Sequence, residues 1–471
     1  LLVWLVIGIG LRLTNLSGKS PWTDEFSTLV FSLGNSFLGV PLDQAITIDT
    51  LLQPLQPNPE ADVSDVLTHL FNESNHPPIY FVLTHLWLQL FPTNAGLVSV
   101  WGARLLAAIF GGLSIPAIFG LSWLAFRSRS ISHLAAAMMA VSPFGIFLAQ
   151  EARHYTLAIL WVIASLACLI TTLRHIKNHT QLPIHIALCW VIVNAIGIAT
   201  HYFFALTLCA EVFVLMFTMS QEWRNKNTVV EKRTFNFLSY LFSSPWKRIY
   251  AVALGTFISG LVWVPIFINN SYGNDLTDWI QGERVGFAWI SPIFQAIAAW
   301  ITMISLLPVE ASQLAVVIAS GLVMIIFFVW LMPILIRGYK VQLSSSPQNK
   351  LIIQALSSFI LGAIILFFIF TYFLGIDLTR GARYNFVYFP VVMVLVGAIL
   401  AAIWDTKTAE KIRWGVTGKQ AVAIILLMGF ISSITVVCNF GYQKYYRPDL
   451  FVKLIKKTSQ NPILIATTQK T

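Results

Sequence analysis

Two adjacent carboxylates, Asp24 and Glu25, follow the first apolar run (Leu1 to about Leu16) in the string Ser20-Pro21-Trp22-Thr23-Asp24-Glu25. Acids are scarce in this chain, which is 57% hydrophobic and 11% charged. A carboxylate beside a membrane-length run is costly near lipid and is by default a functional hypothesis. One of the two could serve as a general base at a bilayer surface. The bland alternative is that they cap a following helix, Phe26 to Leu33, because acids favour a helix N-terminus. Capping accounts for one acid better than for two.

Four more strings hold groups that could act with them. Asn75-His76-Pro77-Pro78-Ile79-Tyr80 opens a short apolar stretch, where proline is a normal helix start. His76 could donate a hydrogen bond to an anion there, or could be only a polar residue at a helix start. Gln150-Glu151-Ala152-Arg153-His154-Tyr155 joins two apolar runs with almost no loop. A Glu151–Arg153 pair could be merely interfacial, but span ends can be built from cheaper residues, which favours a site. Arg380-Gly381-Ala382-Arg383-Tyr384 offers two guanidinium groups suited to bidentate phosphate recognition, against a bland reading of snorkelling arginines. Arg104, roughly two turns inside an apolar run, needs a carboxylate or a lipid phosphate as partner. His201-Tyr202 marks a tight turn, where Tyr is ordinary at an interface and a lone His is more often structural. Glu211 lies mid-run and pairs internally or faces a cavity. Trp263, Trp279 and Trp289 read as an interfacial belt. No Gly-rich phosphate loop, zinc motif or Ser/His/Asp arrangement stands out.

The elements that carry these residues are membrane helices. Apolar runs of about 17 to 25 residues recur, each able to cross a ~30 Å hydrocarbon core. Backbone in lipid must satisfy its own hydrogen bonds, so the expected class is an all-α polytopic membrane protein. Period-two alternation of the outer-membrane barrel kind is absent. The expected spans are 1–16, 98–124, 131–149, 156–173, 183–199, 202–219, 249–268, 312–336, 351–373, 384–403 and 419–438, about eleven in all. Ile79 to Phe91 and Ser291 to Leu307 are shorter and read as surface helices. Cys168, Cys189, Cys209 and Cys438 lie in apolar segments without metal or disulfide spacing and read as packing residues. The chain begins apolar and without Met, so the natural N-terminus is expected further upstream.

Charge orients this arrangement. Alternate loops 125–130, 174–182, 220–248, 337–350 and 404–418 carry most Lys and Arg, including Arg127, Arg174, Lys232, Arg233, Arg248, Arg337 and Lys407. The other loops carry only Lys19, Arg153, Arg284, Arg380 and Arg383 before the tail. The positive-inside rule places the basic set in the cytoplasm. The net charge of +10 then reflects basic cytoplasmic loops, and no nucleic-acid partner is expected. Loops 17–97, 150–155, 269–311 and 374–383 fall on the outer side, where no nucleotide sugar is available. Chemistry there needs an activated donor carried by the membrane. The tail 439–471 reads as Arg447-Pro448-Asp449, an amphipathic helix (Leu450, Phe451, Leu454, Ile455) and a strand-like Ile463-Leu464-Ile465, the start of a small soluble element. The 341–350 stretch reads as a polar loop.

With the acidic pair, the His-Pro-Pro-Ile-Tyr helix and the strings WGARLLAAIFGGLSIPAIFGL, SPFGIFLAQEARHYTLAIL and THYFFALTL in order, the chain resembles the bacterial dolichyl-phosphate-mannose–protein mannosyltransferase-like family. This is glycosyltransferase family 39 with its relatives in the GT-C superfamily, among them the lipid A aminoarabinose transferases. The resemblance covers roughly residues 1–220 and continues weakly through RGARYNFVYFPVVMVLVGAIL. It implies a GT-C transmembrane domain over 1–438, with juxtamembrane helices in the first outer loop 17–97 and a later outer loop 269–311. It also implies an active site at the membrane surface, a polyprenyl-phosphate sugar donor and inverting transfer. Asp24 matches the catalytic carboxylate of the first outer loop, with Glu25 beside it. Glu151 sits where the family places a second acid or its neighbour. His76 replaces a Lys that the aminoarabinose transferases carry near the lipid phosphate, which argues against an aminoarabinose-like substrate. No MIR-domain insert is present, so protein O-mannosylation does not follow.

The residue-level reading agrees. A sugar–phosphate bond already has a good leaving group, so transfer requires a base for the acceptor hydroxyl and cations for the departing phosphate. Asp24 is the expected base, with Glu25 and Glu151 as further acids. His76, Arg153, Arg380, Arg383 and Tyr384 are expected at the donor phosphate, with Arg104, His201 and Tyr202 as additional candidates. No cofactor is required; a divalent metal would have His76 or His201 to bind, but nothing in the sequence demands one. The expected protein is an inner-membrane hexosyl- or pentosyltransferase acting at the outer face on a lipid, glycan or protein acceptor. The rival is a lipid or glycan transporter, or flippase, which should hold charges near the midplane on discontinuous helices. A partner-docking scaffold leaves the clustered Arg and carboxylate unexplained.

Overall fold

In the computed structural model, residues 1–93, 95–229, 244–269, 278–281, 286–406, 411–443, 448–458 and 461–466 are described. Lys232, Arg233, Arg284, Lys407 and Arg447 lie outside them. Among the described residues the regular structure is helical, apart from a two-stranded antiparallel ribbon that pairs Lys411–Arg413 with Val416–Thr417. Helices occur at all eleven runs expected to span. Seven are long and apolar enough to cross a membrane, and an eighth span is counted if a bent pair is taken as one, so this is a multi-pass membrane protein.

In chain order the first helices are α1 (Leu2–Leu13), α2 (Thr23–Ser32), α3 (Ile48–Leu52), α4 (Val63–Glu73), α5 (Ile79–Leu88), α6 (Val100–Phe126), α7 (Arg129–Val141), α8 (Pro143–Ala149), α9 (Tyr155–Lys177), α10 (Ile184–Thr200) and α11 (Phe204–Val229). Helices Ser244–Leu261, Val264–Asn269, Ser291–Ile304, Leu314–Ser345, Pro347–Phe373, Phe389–Trp404, Gly418–Val437 and Pro448–Thr458 follow. The surface readings of Ile79–Phe91 and Ser291–Leu307 correspond to helices of 10 and 14 residues. Helices α1, α10 and Phe389–Trp404 are also shorter than a full crossing, at 12, 17 and 16 residues.

Three expectations are corrected. The 337–350 segment, including the stretch read as a polar loop, is almost wholly helical. One helix runs to Ser345 and the next starts at Pro347, with the Ser346 hydroxyl accepting from Asn349 N. Polar residues there extend two helices past the apolar zone; only the extended backbone at Ser346 before the proline breaks them. The run 384–403 starts as a 3₁₀ segment, Ala382–Val387, and becomes α-helical only at Phe389. Ile463-Leu464-Ile465 forms no strand; the expected amphipathic helix before it is present as Pro448–Thr458.

The core forms where α6, α7, α8 and α9 meet Phe389–Trp404 and Gly418–Val437. Small residues let backbones approach closely, the usual solution when lipid removes the hydrophobic incentive for helices to associate. A Cβ on Gly397 would sit 2.6 Å from the backbone nitrogen of Ala135, so only glycine fits that crossing.

The span formed by α7 and α8 bends by 57° between Val141 and Pro143. Pro143 has no N–H to continue the ladder, which leaves carbonyls of the α7 end without helical donors. Arg12, fully buried in α1, supplies them: Nη2 donates to Met139 O at 2.9 Å and Nη1 to Ala140 O at 3.2 Å and Gly8 O at 2.8 Å. Ser433 Oγ donates to Val141 O at 2.8 Å. The guanidinium fits because glycine stands at 111, where a Cβ would lie 3.1 Å from Arg12 Nε.

Candidate functional site

Helix α2 begins three residues earlier than the pattern of apolar residues indicates. Asp24 and Glu25 therefore sit in its first turn, behind Trp22, and no side chain caps its N-terminus. Acids in this position still favour the helix through its dipole. Their main partners are elsewhere, and the two differ completely.

Glu25 is 1% exposed and is gripped by Arg104 of α6, also 1% exposed. Arg104 Nε donates to Oε1 at 2.7 Å and Nη2 to Oε2 at 2.8 Å, a bidentate fork. Ala152 N adds a third bond to Oε1 at 2.8 Å. Arg104 Nη1 donates to the carbonyls of Leu16 and Lys19 at 2.9 and 2.8 Å. Arg104 thus finds the carboxylate it needs inside the span, and Glu25 joins the first loop to the 150–155 turn.

Asp24 keeps 29% of its side chain exposed. Its Oδ2 lies 3.4 Å from Arg383 Nη2 and 3.8 Å from Arg153 Nη2, ion pairs longer than direct charge-assisted hydrogen bonds. Arg153 is anchored independently of that carboxylate: Nη1 donates to Asp24 O and Thr28 Oγ1, both at 2.8 Å. Arg383 stacks between Trp22 and Trp279, its guanidinium carbon 4.6 and 5.0 Å from the two rings. The Nε atoms of both arginines are buried and make no hydrogen bond among the described residues.

Behind this pair lie three histidines. Arg153 Nη2 is 2.9 Å from His76 Nε2. Arginine can only donate, so Nε2 accepts, and Nδ1–H is left to donate to Ser74 Oγ at 2.9 Å. His76 is therefore the neutral tautomer. Burial, then Arg153 and Arg383, hold its pKa well below the ordinary histidine value. His154 rests against His76 (ring centroids 5.6 Å) and His201 (4.4 Å). Burial and then His201 depress His154; burial and then His76 depress His201. His201 Nδ1 accepts from Phe203 N at 3.1 Å. Among the described residues, no group of three or more His, Cys, Asp or Glu side chains is placed to hold a metal ion.

Four segments separated in sequence thus meet at one end of the bundle: 22–28, 74–80, 151–155 and 383–386, with His201 beside them. Glu151 is buried within this group. Tyr384 packs against Phe203 (4.8 Å) and lies 5.3 Å from the Arg383 guanidinium. Arg380 stands apart from the carboxylate: Nε pairs with Asp377 Oδ2 at 3.5 Å and Nη1 donates to Trp279 O at 2.6 Å. Its contacts hold the Trp279 backbone. Tyr202 turns away to Trp263, 5.8 Å between rings. Trp279 covers Arg383 and is more than the belt residue its type suggests. Thr28, Trp22 and Arg12 escape a reading by residue type. For Arg12 the available signal was a lone charge inside an apolar run.

No family model matches the chain, and no curated protein matches it. Solved structures similar to it include ArnT from Cupriavidus metallidurans bound to undecaprenyl phosphate, at 12% identity over 93% of this chain and 74% of that one (TM-score 0.47). The oligosaccharyltransferase of Archaeoglobus fulgidus in complex with Zn and sulfate is 16% identical, over 97% of this chain and 56% of that one (TM-score 0.49). The chain therefore spans little more than half of the oligosaccharyltransferase.

Proposed function

We propose that this chain is a membrane glycosyltransferase of the GT-C kind, which moves a sugar from a polyprenyl-phosphate donor to an acceptor hydroxyl at the outer membrane face. One observation carries the reading: Asp24 is a partly exposed carboxylate poised against two guanidinium groups that are anchored by other contacts. The acceptor O–H gives its proton to Asp24 as its oxygen attacks the sugar C1. The C1–O bond to phosphate breaks, and the departing negative charge is met by the partly exposed Arg383 guanidinium, with the buried Arg153 charge behind it. His76 fixes Arg153 through Nε2, which accepts from the guanidinium and so carries no proton to give. Glu25 acts by positioning, through Arg104 and Ala152 N. The polyprenyl carrier is inferred from the sequence resemblance and from the outer placement of the site by the charge pattern.

The transporter reading gains one observation, the broken α7–α8 span with Arg12 at the break. In transporters an interrupted helix lines a cavity. Here the freed carbonyls are filled by Arg12 and Ser433, and residues 134–159 are buried without interruption. The decisive experiment reconstitutes the purified protein with polyprenyl-phosphate sugars and a panel of acceptors, and measures release of polyprenyl phosphate. Release by the wild type, lost in Asp24→Asn, is expected. Movement of the donor across a sealed bilayer without release would establish the transporter instead.

A further inference from the structure

A cavity of about 320 Å³ lies at the far end of α2 from Asp24. It is lined by Ser32, Leu33, residues 57–59 and Ala61, by His85, Leu88 and Gln89 of the α5 end, and by residues 91–93, 98 and 99. None of these is Lys, Arg, Asp or Glu. Neither an anionic headgroup nor a cation would find a charged partner there. The lining combines neutral hydrogen-bonding groups (Ser32, Asn58, Gln89, Thr93) with flat apolar surfaces (Phe91, Pro57, Pro59, Pro92).

The polar groups are partly organised. His85 Nδ1–H donates to Ser32 O at 2.9 Å, so its Nε2 accepts, and Gln89 Nε2 donates to it at 3.2 Å. That contact uses the Gln89 amide nitrogen and orients the side chain. Ser32 Oγ is buried and makes no hydrogen bond within the protein, and buried hydroxyls normally have a partner. The volume is at the low end of the ~300–1,000 Å³ typical of small-molecule sites.

We propose that this cavity is a binding subsite for a neutral carbohydrate. Amide and hydroxyl groups meet its hydroxyls, and Phe91 and the prolines meet its C–H faces. Asp24 and Ser32 stand at opposite ends of one helix, about 12 Å apart along its axis at ~1.5 Å per residue. A single sugar unit in the cavity is therefore not the one that reacts; it is a remote unit of a longer acceptor. That last assignment rests on the glycosyltransferase reading, whereas carbohydrate binding itself does not.

The test uses the full chain in lipid nanodiscs, because maltoside detergents would compete. Saturation-transfer NMR and calorimetry are run with lactose, cellobiose and chitobiose as neutral probes and glucose 1-phosphate as the charged one. At least one neutral disaccharide should bind with a Kd of about 1–10 mM. Thr93→Trp, which fills the cavity from an exposed position, and the Asn58→Ala/Gln89→Ala pair should each weaken it at least about tenfold. Equal thermal unfolding midpoints for these variants and wild type would establish that folding is intact. Asp24→Asn should bind as wild type does. The proposal is overturned if no neutral disaccharide binds saturably, if binding survives Thr93→Trp unchanged, or if it is lost in Asp24→Asn. Preference for glucose 1-phosphate in the Thr93→Trp-sensitive site would overturn the neutral class. Failure of sugar transfer with disaccharide binding intact would sink the transferase reading and leave this one standing.

Discussion

Asp24 and Glu25 are neighbours in sequence, and each faces arginine, but the two arrangements differ in nearly every physical respect. The Glu25–Arg104 pair is sealed: both partners are 1% exposed, the fork closes at 2.7 and 2.8 Å, and the remaining Arg104 donors go to Leu16 O and Lys19 O. The Asp24 arrangement is loose, with separations of 3.4 and 3.8 Å and with the carboxylate and Arg383 both partly exposed, although Arg153 is as buried as Arg104. A sealed pair has nothing to offer a ligand. A loose one holds charges in place and leaves them available. Adjacent acids have thus divided, one sealed into the architecture and the other left partly exposed.

The largest effect should come from unsealing the closed pair. Arg104→Ala leaves Glu25 as an unpaired buried charge and should lose about 3–5 kcal/mol of stability. Thermal unfolding in nanodiscs measures this. A midpoint near wild type would mean that Glu25 is as available as Asp24 and would erase the contrast. Asp24→Asn should do the reverse: turnover falls by about 10²–10⁴ while the unfolding midpoint stays in place. Loss of stability matching the loss of activity would place Asp24 in the architecture too. Arg383→Lys keeps the charge but gives up the planar fork and much of the stacking between Trp22 and Trp279. Turnover should fall by about 10²–10³, the effect of one lost donor to a developing anion. An unchanged rate would remove Arg383 from the phosphate site.

Much of the helical layout was legible because lipid imposes it. Each apolar run of sufficient length must become helix, and helices stand at all eleven. The loops were less legible where polar residues continue a helix beyond the apolar zone, as at Ser345. At the site, residue types identified the acidic pair, Glu151, Arg153, His76 and Arg383 as a group, and the structure places them together. The sequence set Asp24 apart as the expected base, but the sealing of Glu25 was not legible. It depends on Arg104, 79 residues away, and on the Ala152 amide. Arg380 and Arg383 looked equivalent in one short string, but Asp377 and the Trp279 carbonyl take the first, and Trp22 and Asp24 the second.

Arg12 extends the contrast to a third arginine, one that serves backbone carbonyls alone. Arg12→Leu keeps the volume roughly apolar and strands Met139 O and Ala140 O. Leaving buried acceptors unsatisfied costs about 1–3 kcal/mol each, so the unfolding midpoint should fall. Because Gln150 Nε2 also donates to Thr14 O at 2.9 Å, the end of α1 remains tied to the site turn. Turnover at a permissive temperature should therefore fall less than in Asp24→Asn. A loss of activity equal to that of Asp24→Asn, with folding intact, would instead make the helix break part of the chemistry.

The contrast also reaches the dependence on acidity, whose sign follows from the histidines. His76, His154 and His201 are all held below the ordinary histidine pKa, burial being the largest cause for each. Below about pH 6.5 the unfolded chain takes up protons that the folded one refuses. Stability should be fully present above that value and decline as pH falls beneath it, because the unfolded state then binds more protons. Unfolding midpoints measured from about pH 7.5 down to about pH 5 should show the decline, and His154→Asn should flatten its slope. A flat profile in the wild type would mean that the three rings take up protons as readily in the folded state as in the unfolded one. Arg153 could then no longer donate to His76 Nε2 and would be held only by its Nη1 bonds to Asp24 O and Thr28 Oγ1.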